Sequence, residues 1–122
     1  MNIEILQFFD KHPDVLPLYQ AFEELILAKL PEFNLKVQKT QITLTNRHVF
    51  ACASLRKFKG RPKVDLIITF GLAHEVTSSR IFQAVEPYPN RWTHHVIIGD
   101  ESEIDEQLSK WVEEAYDFAL TK

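Results

Sequence analysis

A chain of 122 residues that is 45% hydrophobic and 25% charged has the composition of one globular domain, able to bury roughly two-thirds of its unfolded surface, and is not a disordered tail. Apolar runs all fall short of the about 18 residues a membrane span needs. The start lacks the basic region of a secretory leader, and Cys52 as the only cysteine excludes a disulfide framework, so a single cytoplasmic domain over residues 1–122, away from membranes, is expected.

Asn2 caps a first helix through about Asp10, with Ile5, Leu6 and Phe9 on one face, and His12-Pro13 breaks it. A second helix follows from Val15 or Pro17 to Leu30, with Leu18, Phe22, Leu25 and Ile26 at three- and four-residue steps. From residue 34 the period becomes two. Leu35 and Val37, then Ile42 and Leu44, mark two half-buried strands joined near Lys39-Thr40, and Asn46-Arg47 is the next turn. Val49 to Leu55 reads as a central strand, with Cys52 a small core residue. Arg56 to Lys63 is a basic loop and Val64 to Phe70 the strand after it. Over 71–91 the expectation is a connection with a helical turn around Ser78 to Phe82, since Pro87 and Pro89 argue against a regular element. Trp92 to Ile98 forms the last strand. Ser102-Glu103-Ile104-Asp105 resembles a capping box ahead of a long helix whose apolar stripe is Ile104, Leu108, Trp111, Val112, Ala115 and Phe118 or Ala119. This order gives an α+β domain, an antiparallel sheet of four to five strands under N-terminal helices and a long C-terminal helix.

Charge is uneven although the net value is only −3: residues 33–64 carry eight cations (Lys36, Lys39, Arg47, Arg56, Lys57, Lys59, Arg61, Lys63) and no acid, a local +8, while carboxylates crowd the end from Asp100 to Asp117. Such segregation marks either an anion-facing surface or charges that neutralise each other in the fold. Interleaved with Phe58, the 56–63 segment suits weak, nonspecific phosphate contact, but a pI of about 5.9 is low for a dedicated nucleic-acid domain.

The segment Val85-Glu86-Pro87-Tyr88-Pro89-Asn90-Arg91-Trp92-Thr93-His94-His95-Val96 concentrates side chains suited to a site. Lys39, Arg47, Arg80 and Arg91 are the cations expected to converge on Tyr88, Trp92, His94 and His95, forming a cationic-aromatic pocket for a small anion. Alternation along a strand sends His94 and His95 to opposite faces, His94 inward with Val96 and His95 outward with Thr93. Adjacent strand histidines therefore do not share a metal ion, and no metal or other cofactor is expected. An acid–base enzyme using Glu86, His94 and His95 is the alternative from a different class. Three glycines without a phosphate-cradling spacing exclude a P-loop or dinucleotide fold.

The succession Lys39-Thr40-Gln41-Ile42, Gly71-Leu72, Ser79-Arg80-Ile81, the 85–96 segment, and Trp111 followed by Glu114-Ala115-Tyr116 resembles, over about residues 15–120, a family of small bacterial domains of unknown function. Members stand alone or follow other domains, some of them nuclease-like. The resemblance implies the fold and the place of a site, not a reaction. The expectation is a binding or interaction module, monomeric or homodimeric, for a small anionic ligand or a protein partner.

Overall fold

The computed structural model describes residues 2–122. In chain order it has α1 (Ile3–Phe8), α2 (Leu16–Lys29), β1 (Asn34–Val37), β2 (Gln41–Thr45), β3 (Val49–Lys57), β4 (Val64–Leu72), β5 (Ile81–Tyr88), β6 (Arg91–Ile98), a 3-10 turn (Glu101–Glu103) and α3 (Glu106–Thr121). The strands form one six-stranded sheet in the order β1-β2-β3-β4-β6-β5, every neighbouring pair antiparallel. This is the α+β architecture expected, with six strands instead of four to five.

The additional strand is β5, where the two prolines argued for a loop. As an edge strand it pairs only with β6, so proline's missing N–H removes no second ladder bond. The register also shifts between Val85 and Tyr88, taking Pro87 out of the regular pairing. Asn90, at φ 61°, closes the hairpin in a conformation asparagine tolerates. The helical turn expected around Ser78 to Phe82 is a bare turn, Ile81 N–H donating to the Ser78 carbonyl before the strand begins.

All three helices lie on one face of the sheet. That face presents Ile42 and Leu44, Ala51 and Ala53, Leu66, Ile68, Phe70 and Leu72, and Val96 and Ile98, which join buried helix residues in one core. From α1 comes Ile5, and from its C-cap Phe9, with Leu6 exposed; from α2 come Tyr19, Phe22 and Ile26, so Tyr19 takes the central place that the periodicity gave to Leu18 and Leu25. α3 buries Leu108, Trp111, Val112, Ala115, Tyr116 and Ala119, with Phe118 only half-buried. Trp111 stacks on Phe70 at 5.6 Å, and Tyr116 meets Phe50 edge-on at 5.1 Å. The bulge opposite Leu44 and Thr45 lets consecutive Phe50 and Ala51 both face the helices.

Beyond that bulge, alternation turns Cys52 outward. It is half-buried on the open face and is not the core residue expected from its apolar neighbours. The cap also differs from expectation by a few residues. Asp105 alone caps α3, accepting from Leu108 N–H. The capping box belongs to the preceding turn, where Asp100 accepts from Ser102 N–H and Glu103 accepts from the Gly99 and Asp100 N–H groups.

Candidate functional site

The antiparallel registers align one row of small and polar side chains across the open face: Thr43 beside Cys52, Cys52 beside Thr69, Thr69 beside His95, and His95 beside Gln83. The adjacent row holds Gln41, Ser54 and Ile67. All of these except Thr43, together with Arg56, Leu55 and Phe82, line a cleft of about 320 Å3. Its floor is Ile67, on the open side but only 4% exposed. One wall is aromatic, Phe82 lying 5.2 Å edge-on from Phe58 and 5.9 Å from the His95 ring, while the Arg56 guanidinium sits 4.7 Å over Phe58.

Electrostatics within the cleft follow from these neighbours. The cleft is lined by one guanidinium and no carboxylate. His95 Nδ1 is 2.8 Å from Thr69 Oγ1. Burial, and secondarily the Arg56 charge, hold the imidazole below its ordinary value, which keeps it neutral near pH 7. Burial pushes the Cys52 thiol up, with a Thr69 hydrogen bond drawing it partway back, so the thiol stays protonated. Neutral hydrogen-bonding groups around one cation, beside flat rings, can hold an anionic group on a planar molecule by a charge-assisted bond and stacking.

The residues proposed from sequence are scattered around the molecule, and only His95 lines this cleft. His94 is fully buried on the helix side, stacked on Phe70 at 5.1 Å, with Nε2 accepting from Val76 N–H. Burial pushes its pKa down. Lys39 lies at the β1–β2 turn and Arg47 at the β2–β3 turn, opposite ends of strands remote in the sheet order from β5. Tyr88 and Arg91 flank the β5–β6 hairpin tip, Tyr88 at 67% exposure, and Trp92 follows half-buried. Glu86 accepts from Asn90 N–H and so braces the hairpin turn. Glu86, His94 and His95 therefore form no acid–base constellation. Among the described residues no group of three or more His, Cys, Asp or Glu side chains is placed to hold a metal ion.

Arg80 fastens the β4–β5 connection to α3. It donates to both Asp105 carboxylate oxygens (2.8 and 3.1 Å), to Gln107 Oε1 and to the Glu103 carbonyl, and its guanidinium lies 5.7 Å over the Trp111 ring. Its place is structural, so Arg80→Ala is expected to lower the unfolding free energy by about 1 to 2 kcal/mol. Urea denaturation measures this, and an unchanged midpoint and slope would show that the latch adds nothing.

The cleft residues that sequence reasoning missed as a group are Gln41, Cys52, Ser54, Arg56, Thr69, Phe82 and Gln83. Arg56 was visible as a loop cation, but the loop is less basic than its composition suggests: Arg61 is paired with Asp65 at 3.0 Å through Nη2, and Lys57 folds back on the Phe58 carbonyl. Arg56, Lys59 and Lys63 remain without a carboxylate partner among the described residues.

Residues 6–119 match the model of a family described as a domain of unknown function, DUF5655. No curated protein and no solved structure matches the chain.

Proposed function

The chain belongs to this domain-of-unknown-function family, and from that premise we propose that it is a binding module whose open sheet face takes an anionic ligand bearing a flat ring. The single observation that supports this most is the lining of the cleft, where Arg56 stands without any carboxylate beside the Phe82, Phe58 and His95 rings. Arg56 supplies charge, the rings a stacking wall, and Thr69, Ser54, Gln41 and Gln83 the hydrogen bonds that orient the ligand. At about 320 Å3 the cleft is at the small end of ligand sites, which suits a mononucleotide or an aromatic carboxylate. Anchoring this set on paired strands fixes it before binding, which lowers the ordering cost. The reading keeps the anionic ligand expected from sequence and moves its place from the hairpin to the middle of the sheet.

The test compares nucleoside monophosphates and aromatic carboxylates with the matching neutral nucleosides and amides, by thermal shift and calorimetry. A ligand at about 100 times its Kd raises stability by roughly 2.7 kcal/mol, well within reach of a thermal scan. Only the anionic members are expected to bind, and Arg56→Ala is expected to weaken them by about ten- to a hundredfold while leaving the melting temperature of the free protein unchanged. Equal binding of the neutral compounds, or indifference to Arg56→Ala, contradicts the proposal.

A further inference from the structure

A second recess, of about 240 Å3, adjoins the cleft on the same face and shares Cys52 and Thr69 with it. Val49, Phe50, Ala51, Phe70, Gly71, Thr93 and Lys122 complete its lining. Gly71 leaves this floor open without being needed for the backbone: a Cβ placed there meets nothing closer than the Trp92 carbonyl, at 3.8 Å. Sharing Cys52 and Thr69, the two recesses make one trough running along β3 from Arg56 to Val49. Seven residue steps of strand give it a length of about 23 Å.

Cations stand at both ends. Arg56 is at one end, next to the loop that carries Lys59 and Lys63. At the other, Lys122 donates to the Val49 carbonyl, and Arg91 lies near enough, after burial, to lower the Lys122 ammonium further. Among the described residues neither Arg56, Arg91 nor Lys122 is ion-paired with a carboxylate. The acids from Asp100 to Asp117 lie on the turn and helix that pack on the far side of the sheet, so the field across the sheet directs a negative ligand to the trough.

We propose that the trough binds an extended single strand of nucleic acid about four nucleotides long, with a base stacked at Phe82 and phosphates at the two cationic ends. The inference rests on the binding reading of the Arg56 cleft and extends it from a small ligand to a polymer. Aromatic rings beside an arginine hold any base by its flat face, which a single strand offers and a duplex hides. An acidic peptide is the less suited polyanion, because the backbone groups on this mid-sheet face are already paired between strands and offer no edge for strand addition.

The probes are fluorescein-labelled ten-nucleotide uridylate RNA and thymidylate DNA, read by anisotropy at several salt concentrations, with uridine monophosphate, a ten-base-pair duplex and a polyglutamate peptide alongside. The single strands are expected to bind best, and the logarithm of affinity to fall with the logarithm of salt with a slope of about −2 to −3, for three to four phosphates. Phe82→Ala is expected to weaken the strand about tenfold. Gly71→Glu and Lys122→Glu each place a carboxylate in or beside the second recess and are expected to weaken the strand at least tenfold while leaving uridine monophosphate unaffected. Two variants, each checked by its melting curve, guard against a misfolded one. A monophosphate that binds as tightly as the ten-mer, with both variants neutral, overturns the trough and leaves the cleft proposal standing. Preference for duplex or polyglutamate also overturns it. Absence of binding by the single strands overturns the trough, and absence of binding by the nucleoside monophosphates and the aromatic carboxylates as well overturns both readings.

Discussion

Trp111→Ala is expected to lower the unfolding free energy by about 3 to 5 kcal/mol, the range for deleting a large buried aromatic. Trp111 is 8% exposed, stacks on Phe70 of the central strand β4 and lies under the Arg80 guanidinium. Its removal opens a cavity at the joint where α3, β4 and the β4–β5 connection meet, and strips Arg80 of its ring. Since domains are stable by only roughly 5 to 15 kcal/mol in total, the loss is a large fraction of the whole and lowers the melting temperature of the variant. Urea unfolding followed by far-UV circular dichroism measures the change; a parent-like midpoint would show that α3 does not dock on β4 through this residue.

His94 is expected to give the second-largest effect and to set a pH dependence. His94→Ala removes the ring stacked on Phe70 and leaves the Val76 N–H without its acceptor, for a loss of about 2 to 4 kcal/mol. Burial holds the folded imidazole below its ordinary value of 6.5, so below about pH 6.5 the unfolded chain takes up a proton that the folded chain does not. Stability is therefore full above that pH and falls as pH drops toward the lowered folded value, at up to about 1.4 kcal/mol per pH unit for one such group. His95 is shifted down as well and acts in the same direction. Exposed His74, raised by its hydrogen bond to Glu114, acts the opposite way and only weakly. Denaturation between pH 7.5 and about 5 should show the decline, and His94→Gln, which keeps an acceptor but does not titrate, should flatten it. A flat profile for the parent contradicts the assignment.

How far the sequence discloses this molecule depends on the range of the interactions concerned. α3 was legible because its stripe from Leu108 to Ala119 repeats at helical spacing within one segment. Strands β1 and β2 were legible through alternation and β3 as an apolar run, but not the bulge that turns Phe50 and Ala51 the same way and Cys52 outward. β5 was hidden because Pro87 argues locally against a strand, and only its place at the sheet edge makes proline acceptable. Opposed faces for His94 and His95 follow from period two alone. The cleft was not legible, since Gln41, Cys52, Thr69, His95 and Gln83 come from five strands and meet only through four registers. A sequence states each strand's faces without its alignment to the neighbours. The hairpin residues Tyr88, Arg91 and Trp92 drew attention because they are dense in sequence, whereas the cleft is dense only in space.

The central claim, that the open sheet face is the binding surface, is tested most directly by mapping where a ligand touches. Amide chemical-shift changes on titrating uridine monophosphate into 15N-labelled protein are expected to concentrate at Ser54, Arg56, Thr69, Phe82, Gln83 and His95, the lining of the Arg56 cleft, and to disappear in Arg56→Ala. Shifts gathered instead at the Tyr88–Arg91 hairpin, around Lys39, or on the helical side of the sheet would contradict the account.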